Sequence, residues 1–181
     1  MKRILLAVFI MVTINGGIAF GCNTQGSSRI DYPGNSGWEI NTCKNGKLNG
    51  PFQIFSAQGI LIVEGFIKDD QLQGKMMRFY PSGKKMMEDN KVNGKSEGTT
   101  KVYYENGALK GEHRYLNGKL NGMSKEYYMN GKVKSKISWS NNDPMSMSKF
   151  DEQGKLLAEL SPKEALKDLQ TLSKDLLSQK P

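Results

Sequence analysis

At 181 residues the chain is long enough for one ordinary domain or a short repeat array with a worthwhile core. Hydrophobic residues make up 37% and the mean hydropathy is −0.56, which describes a soluble body and excludes a lavish core. The formal charge is +8, or +6 once Lys2 and Arg3 leave with a leader, and the remaining cations are interspersed with acids. With no run of like charge, the pattern describes a solvated surface and no nucleic-acid partner is expected.

The first element is a targeting segment. Lys2 and Arg3 form a basic start, and Ile4 to Ile14 (ILLAVFIMVTI) is an apolar stretch too short to span a bilayer comfortably. Ala19-Phe20-Gly21-Cys22 follows and resembles the lipobox of bacterial lipoproteins. That resemblance implies a signal peptide over 1–21, acylation of Cys22 and a membrane-anchored envelope lipoprotein. Ala19 and Phe20 depart from the usual lipobox, so ordinary cleavage after Ala19 or Gly21 stays open. The protein would then be periplasmic or secreted, with Cys22 free to pair with Cys43, the only other cysteine. Residues 22–37, with Asn23-Thr24-Gln25-Gly26-Ser27-Ser28, read as a flexible tether.

A 24-residue repeat then dominates residues 38–160. Stepping back from Gly122 gives Gly98, Gly74 and Gly50; stepping back from Gly131 gives Gly107, Gly83 and Gly59. One column is aromatic throughout (Phe55, Phe79, Tyr103, Tyr127), and the next reads Ser56, Tyr80, Tyr104, Tyr128. A degenerate fifth unit follows, with Gly154 one residue off the period. Such a period excludes most single-core folds.

Each unit holds two β-type runs broken by turn signals, at Asn45-Gly46, Asn93-Gly94 and Asn117-Gly118 and again at Asn106-Gly107 and Asn130-Gly131. Asn-Gly favours the type I′ turn, so a unit reads as strand, tight turn, strand, tight turn. The predicted fold is all-β: an antiparallel hairpin meander of about five units. Gly50, Gly74, Gly98 and Gly122 fall inside strands and predict a bulge or a neighbouring aromatic ring lying on the backbone. The column of Phe55, Phe79, Tyr103 and Tyr127 is expected to stack as the core. Tyr80, Tyr104 and Tyr128 would then face outward with Lys101 and Lys125 as a binding face. Cross-strand pairing on a solvated face is the plainer reading of those tyrosines.

The chain closes on residues 161–181. Ser161-Pro162-Lys163-Glu164 carries a cap, an early proline and a capping-box Glu. Leu166, Leu169, Leu172, Leu176 and Leu177 recur at helical spacing, predicting an amphipathic helix that caps the sheet.

Units of this form, of which Tyr115 to Gly131 (YLNGKLNGMSKEYYMNG) is the best example, resemble the MORN-variant repeats of bacterial YwqK-type proteins. That resemblance covers roughly Trp38 to Leu160. It implies hairpin repeats, frequent signal or lipoprotein segments, and a description as antitoxins, hence a protein partner that includes a toxin among its candidates. The second unit departs from the pattern, with Asp69-Asp70-Gln71 in place of Asn-Gly-Lys.

Little points to catalysis. His113, the only histidine, lies between Glu112 and Arg114 on a predicted strand and reads as a surface residue. Nucleophile elbow, phosphate loop and Cys/His metal spacing are all missing, and Asp69-Asp70 reads as a turn. The expectation is a non-enzymatic binding protein with no cofactor and no metal.

Overall fold

The structure, a computed structural model, describes residues 26–31 and 37–178; the expected signal segment and Cys22 lie outside the described residues. β1 (Gly26–Asp31) is followed by β2 (Gly37–Lys44), β3 (Lys47–Leu48) and β4 (Gly50–Ser56). The second unit is β5 (Leu61–Lys68), β6 (Gln71–Leu72) and β7 (Gly74–Phe79); the third is β8 (Lys85–Val92), β9 (Lys95–Ser96) and β10 (Gly98–Tyr103). The fourth is β11 (Leu109–Leu116), β12 (Lys119–Leu120) and β13 (Gly122–Tyr127). β14 (Val133–Ser140) and β15 (Asp143–Phe150) form the fifth, and β16 (Leu156–Leu160) leads into helix α1 (Pro162–Ser178). The long strands pair antiparallel in chain order into one open sheet, and β3, β6, β9 and β12 pair only with the strand before them. β1 lies within the stretch expected to be a tether and pairs with β2. Cys43, at the end of β2, is 6% exposed and disulfide-bonded.

The first turn of each unit has the expected geometry. Both central residues take positive φ at Asn45-Gly46 (53° and 74°), Asn93-Gly94 (49° and 78°) and Asn117-Gly118 (52° and 81°). Asp69-Asp70 (50° and 65°) and Asn141-Asn142 (51° and 77°) do the same, as Asp and Asn tolerate the left-handed region. The second turn is different from the one expected. Tyr104 N–H donates to Ala108 O and Gly107 N–H to Tyr104 O; only Gly107 takes positive φ, at 91°. This is a three-residue loop, a type I turn closed by a left-handed glycine. Asn106 contributes its Oδ1, which accepts from Ala108 N–H at 2.9 Å.

The anchor glycines mark bulges. Tyr115 pairs with Leu120 and Gly111 with Glu126, so four steps on β11 match six on the returning chain. Two extra residues are absorbed there, and Gly74, Gly98 and Gly122 take φ of 72°, 80° and 95°. The expected aromatic ring over these glycines is not found. A Cβ on Gly74 or Gly98 would meet nothing within 4 Å, and on Gly122 it would meet Arg114. The ring contact falls instead at Gly65, where a Cβ would lie 2.7 Å from Phe52 Cε1. In the fifth unit Trp139 pairs with Pro144 and Ile137 with Met147. Only one extra residue is absorbed there, which is why Gly154 sits one short of the period.

The core column is also not the one expected. Phe55, Phe79, Tyr103 and Tyr127 are half-buried, whereas Phe52, Met76, Thr100 and Ser124 are buried in every unit. Phe52, Val63 and Met76 form one apolar cluster, and Ile137, Met147 and Ala165 form another beneath α1. The face bearing these residues is here the inner face, and the opposite one the outer face. Between the clusters the inner face is polar. Asp89 accepts from Thr100 Oγ1 and Ser96 Oγ, both at 2.8 Å, and pairs with Lys91 at 2.8 Å.

Helix α1 begins where predicted, with Glu164 accepting from Ser161 N–H at 2.9 Å. Its fully buried residue is Ala165, at 0% exposure, and Leu169 packs beside it, while Leu166 and Leu172 are exposed. A small residue lets the helix approach the sheet closely. Lys149 of β15 pairs with Asp168 at 2.9 Å. The helix thus covers the inner face at β15. The side chains of Leu176 and Leu177 lie outside the described residues.

Gly98 tests the bulge without any steric complication. Gly98→Ala should cost about 1–2 kcal/mol from its left-handed backbone alone, and Gly98→Asn less. Urea unfolding measures both; an alanine variant as stable as the parent would show that the bulge does not need positive φ.

Candidate functional site

The outer face is built by register. Across the strands one row runs Glu64, Met77, Glu88, Lys101, Glu112, Lys125, Lys136, Ser148, Glu159, each paired with the next. Its charges alternate from Glu88 to Lys125. Tyr103 and Tyr127, expected in the core, belong to this face. Tyr103 Oη donates to Glu88 Oε2 at 3.1 Å and Tyr127 Oη to Glu112 Oε2 at 3.0 Å. Lys85 bonds Glu88 and lies 5.6 Å from the Tyr103 ring centroid. The Lys85 hydrogen bond, aided by the one from Tyr103, holds the Glu88 carboxyl below its usual range. Burial, then the bond to Glu88, pushes the Tyr103 phenol up.

Tyr80, Tyr104 and Tyr128 do not form a free ladder. Each is half-buried, and each hydroxyl donates to a main-chain carbonyl of the next unit. Tyr80 reaches Tyr103 O at 2.7 Å, Tyr104 reaches Tyr127 O at 2.7 Å and Tyr128 reaches Phe150 O at 2.8 Å. Two of the rings also meet a cation: Lys110 lies 5.5 Å from Tyr104 and Lys134 5.9 Å from Tyr128. Lys101 is 4.0 Å from Glu112 with its side chain 45% exposed. Lys125 is half-buried, flanked by Glu112 on one strand and Lys136 on the other.

The opposite margin of the sheet carries a second set of ties that sequence reasoning missed. The second turn residue of each unit donates its N–H to the two-residue strand of the unit before: Asp70 to Leu48 O, Gly94 to Leu72 O, Gly118 to Ser96 O and Asn142 to Leu120 O. Side chains add to this, with Gln73 Oε1 accepting from Asn93 N–H at 2.9 Å and Glu97 Oε2 from Asn117 N–H at 2.8 Å. The available signal was the column Asn49, Gln73, Glu97, in which the residue changes but a hydrogen-bonding side chain persists, Asn49 donating to Asp69 Oδ1 where Gln73 and Glu97 accept.

His113 is not the surface residue expected. It is half-buried, opposite Thr100 in the register, and burial pushes its imidazole down despite Glu126. Among the described residues no three His, Cys, Asp or Glu side chains gather where they could hold a metal. No helix among them is long and apolar enough to cross a membrane.

Comparison with known proteins gives one family-level finding. The sequence profile of the MORN repeat variant matches residues 96–117 and 120–141, so the chain carries MORN-type repeats. Such repeats are typically protein- or lipid-binding modules and generally non-enzymatic. No curated protein sequence matches. Among solved structures, TarM aligns at TM-score 0.33 and 10% identity, over 90% of this chain and 22% of that one. The GtfA/B complex aligns at 0.26 and 11%, over 65% and 21%. The chain spans about a fifth of the length of either, and likeness at this level bears on neither fold nor function.

The tyrosine ties and the buried imidazole each predict a measurable effect. Tyr104→Phe removes the hydroxyl donor to Tyr127 O, costing about 1 kcal/mol by urea unfolding; no loss would mean that the tie carries no net energy. For His113, the unfolded imidazole titrates near 6.5 and the folded one lower. The unfolded chain therefore takes up the proton first, and stability falls as pH drops through 6.5 until the folded imidazole also protonates. His113→Gln should flatten that part of the profile, and an unchanged profile would remove the assignment.

Proposed function

We propose that this is an exported, non-enzymatic binding module that presents its outer sheet face to a protein partner at the cell envelope. The observation that supports it most is the division of labour between faces. The inner face is filled by apolar clusters, the Asp89 network and α1, whereas the outer face repeats half-exposed Tyr, Lys and Glu every 24 residues. Tyrosine side chains held on a rigid sheet are among those that protein interfaces favour. A toxin as the partner is the narrower form of the reading and rests on the YwqK-type resemblance. Anionic lipid or wall polymer on the same face is the other, motivated by the excess of lysine.

Export rests on residues 1–21, and anchoring on Cys22. The disulfide at Cys43 favours the secreted alternative, since Cys22 is the only other cysteine and an acylated cysteine has no thiol left to oxidise.

Two measurements test the proposal. Metabolic labelling with a fatty-acid analogue should mark the protein if Cys22 is acylated, and label that persists in Cys22→Ala excludes that site. Affinity capture from envelope extract should retain a defined partner on the native chain and lose it on Lys101→Glu, while Lys119→Glu on the two-residue strand β12 keeps it. Equal capture by both variants would exclude the outer face.

A further inference from the structure

Like charges are direct neighbours at one place on the outer row. Lys125 and Lys136 are directly opposed across β13 and β14, and among the described residues neither forms an ion pair. Like charges directly opposite in a sheet are destabilising, with Cβ atoms about 4.5–5.5 Å apart. Sequence spacing would have allowed a cheap remedy, as Glu112 shows opposite Lys101 two strands earlier. Glu112 itself, on the other side of Lys125, is already engaged by Tyr127 Oη at 3.0 Å. Lys136 Nζ lies 5.3 Å from the centroid of the Phe150 ring, a cation–π contact that offsets part of its charge without supplying an anionic partner.

Hydroxyls and a third cation surround this pair. Ser148 is the register partner of Lys136, and Ser138 pairs with Ser146 in the adjacent row. Arg114, exposed on β11, lies along Gly122, where a Cβ would come within 3.0 Å of its Cδ. Glycine at 122 therefore leaves room for the Arg114 stem, two residues along β11 from Glu112, the register partner of Lys125. The patch is bracketed by carboxylates in the same row, Glu112 before Lys125 and Glu159 after Ser148.

We infer that Lys125 and Lys136, with Ser148, form a site for a single phosphoryl group, of the phosphomonoester class. Two ammonium groups match a dianion, and the neighbouring hydroxyl supplies a donor to a third oxygen. The flanking Glu112 and Glu159 set the length: a polyanion laid across the strands would run onto a carboxylate at either end, whereas one phosphoryl group occupies only the interval of Lys125, Lys136 and Ser148. The site lies within the face proposed to dock a partner, but its test needs no partner, so either reading can fail alone.

The experiment is a thermal-unfolding titration of the full chain with inorganic phosphate, with chloride holding ionic strength constant. Phosphate should stabilise the native chain saturably, as a ligand of the folded state does. Lys125→Gln and Lys136→Gln should each weaken the apparent affinity by about tenfold or more, the loss expected for one charge-assisted contact, while Lys119→Gln should not. In chloride alone Lys125→Gln should be at least as stable as the parent, because it removes a repulsion; this separates a lost site from a damaged fold. The proposal is overturned if phosphate stabilises no more than chloride, if the Gln variants keep the response, or if Lys125→Gln is less stable without phosphate. Binding to vesicles of anionic phospholipid or to a phosphodiester polymer, without any response to phosphate, would overturn it equally.

Discussion

The structure depends on lateral hydrogen bonds that join each hairpin to the next at both margins of the sheet. One margin is tied by the two-residue turns, whose second N–H reaches the preceding unit's short strand. The other is tied by Tyr80, Tyr104 and Tyr128, whose hydroxyls reach a carbonyl one unit ahead. An isolated hairpin is marginal in water, and a single-layer sheet has little apolar area to offer. Repeating the same polar tie at the same place compensates for a core that is thin and, around Asp89 and Thr100, not apolar at all. The strict period follows, since a shifted unit would lose the ties at both margins together.

That constraint also sorts the two faces. Positions two after each anchor glycine point inward and are buried, whether Phe52, Met76, Thr100 or Ser124. Because the ties fix the register, the chemistry of this column can drift from aromatic to hydroxyl along the array. The ends keep apolar clusters, and at the C-terminal end Ala165 and Leu169 of α1 complete one. The outer face is left with the paired charges, and their order is set by which residues the bulges bring opposite one another. Lys125 meets Lys136 because the loop from Tyr128 to Lys132 and the register shift between Glu126 and Tyr127 set β13 against β14.

Much of this was legible in the residues. The period, the Asn-Gly turns and the capping box at Ser161 each name a local backbone conformation, and each stands in the structure where it was expected. The departures share a cause. The second turn was assigned by its Asn-Gly pair, yet there Asn106 accepts a hydrogen bond with its side chain and Gly107 alone is left-handed. The inward column was assigned to Phe55, Phe79, Tyr103 and Tyr127 because they are aromatic. Tyr103 and Tyr127 instead reach outward to Glu88 and Glu112. In each case a relation across the hairpin decides the outcome: loop length at the turn, and bulge-offset alternation in the strand.

The sequence by itself determined that the chain is an array of 24-residue hairpins ending in a helix, because turn type, bulge and cap are local properties of a few neighbouring residues. Only the tertiary structure decided which face each column occupies, which tyrosines are tied and which lysines are opposed. Those depend on register between strands, and each bulge absorbs one or two residues by an amount that no spacing within a strand reveals.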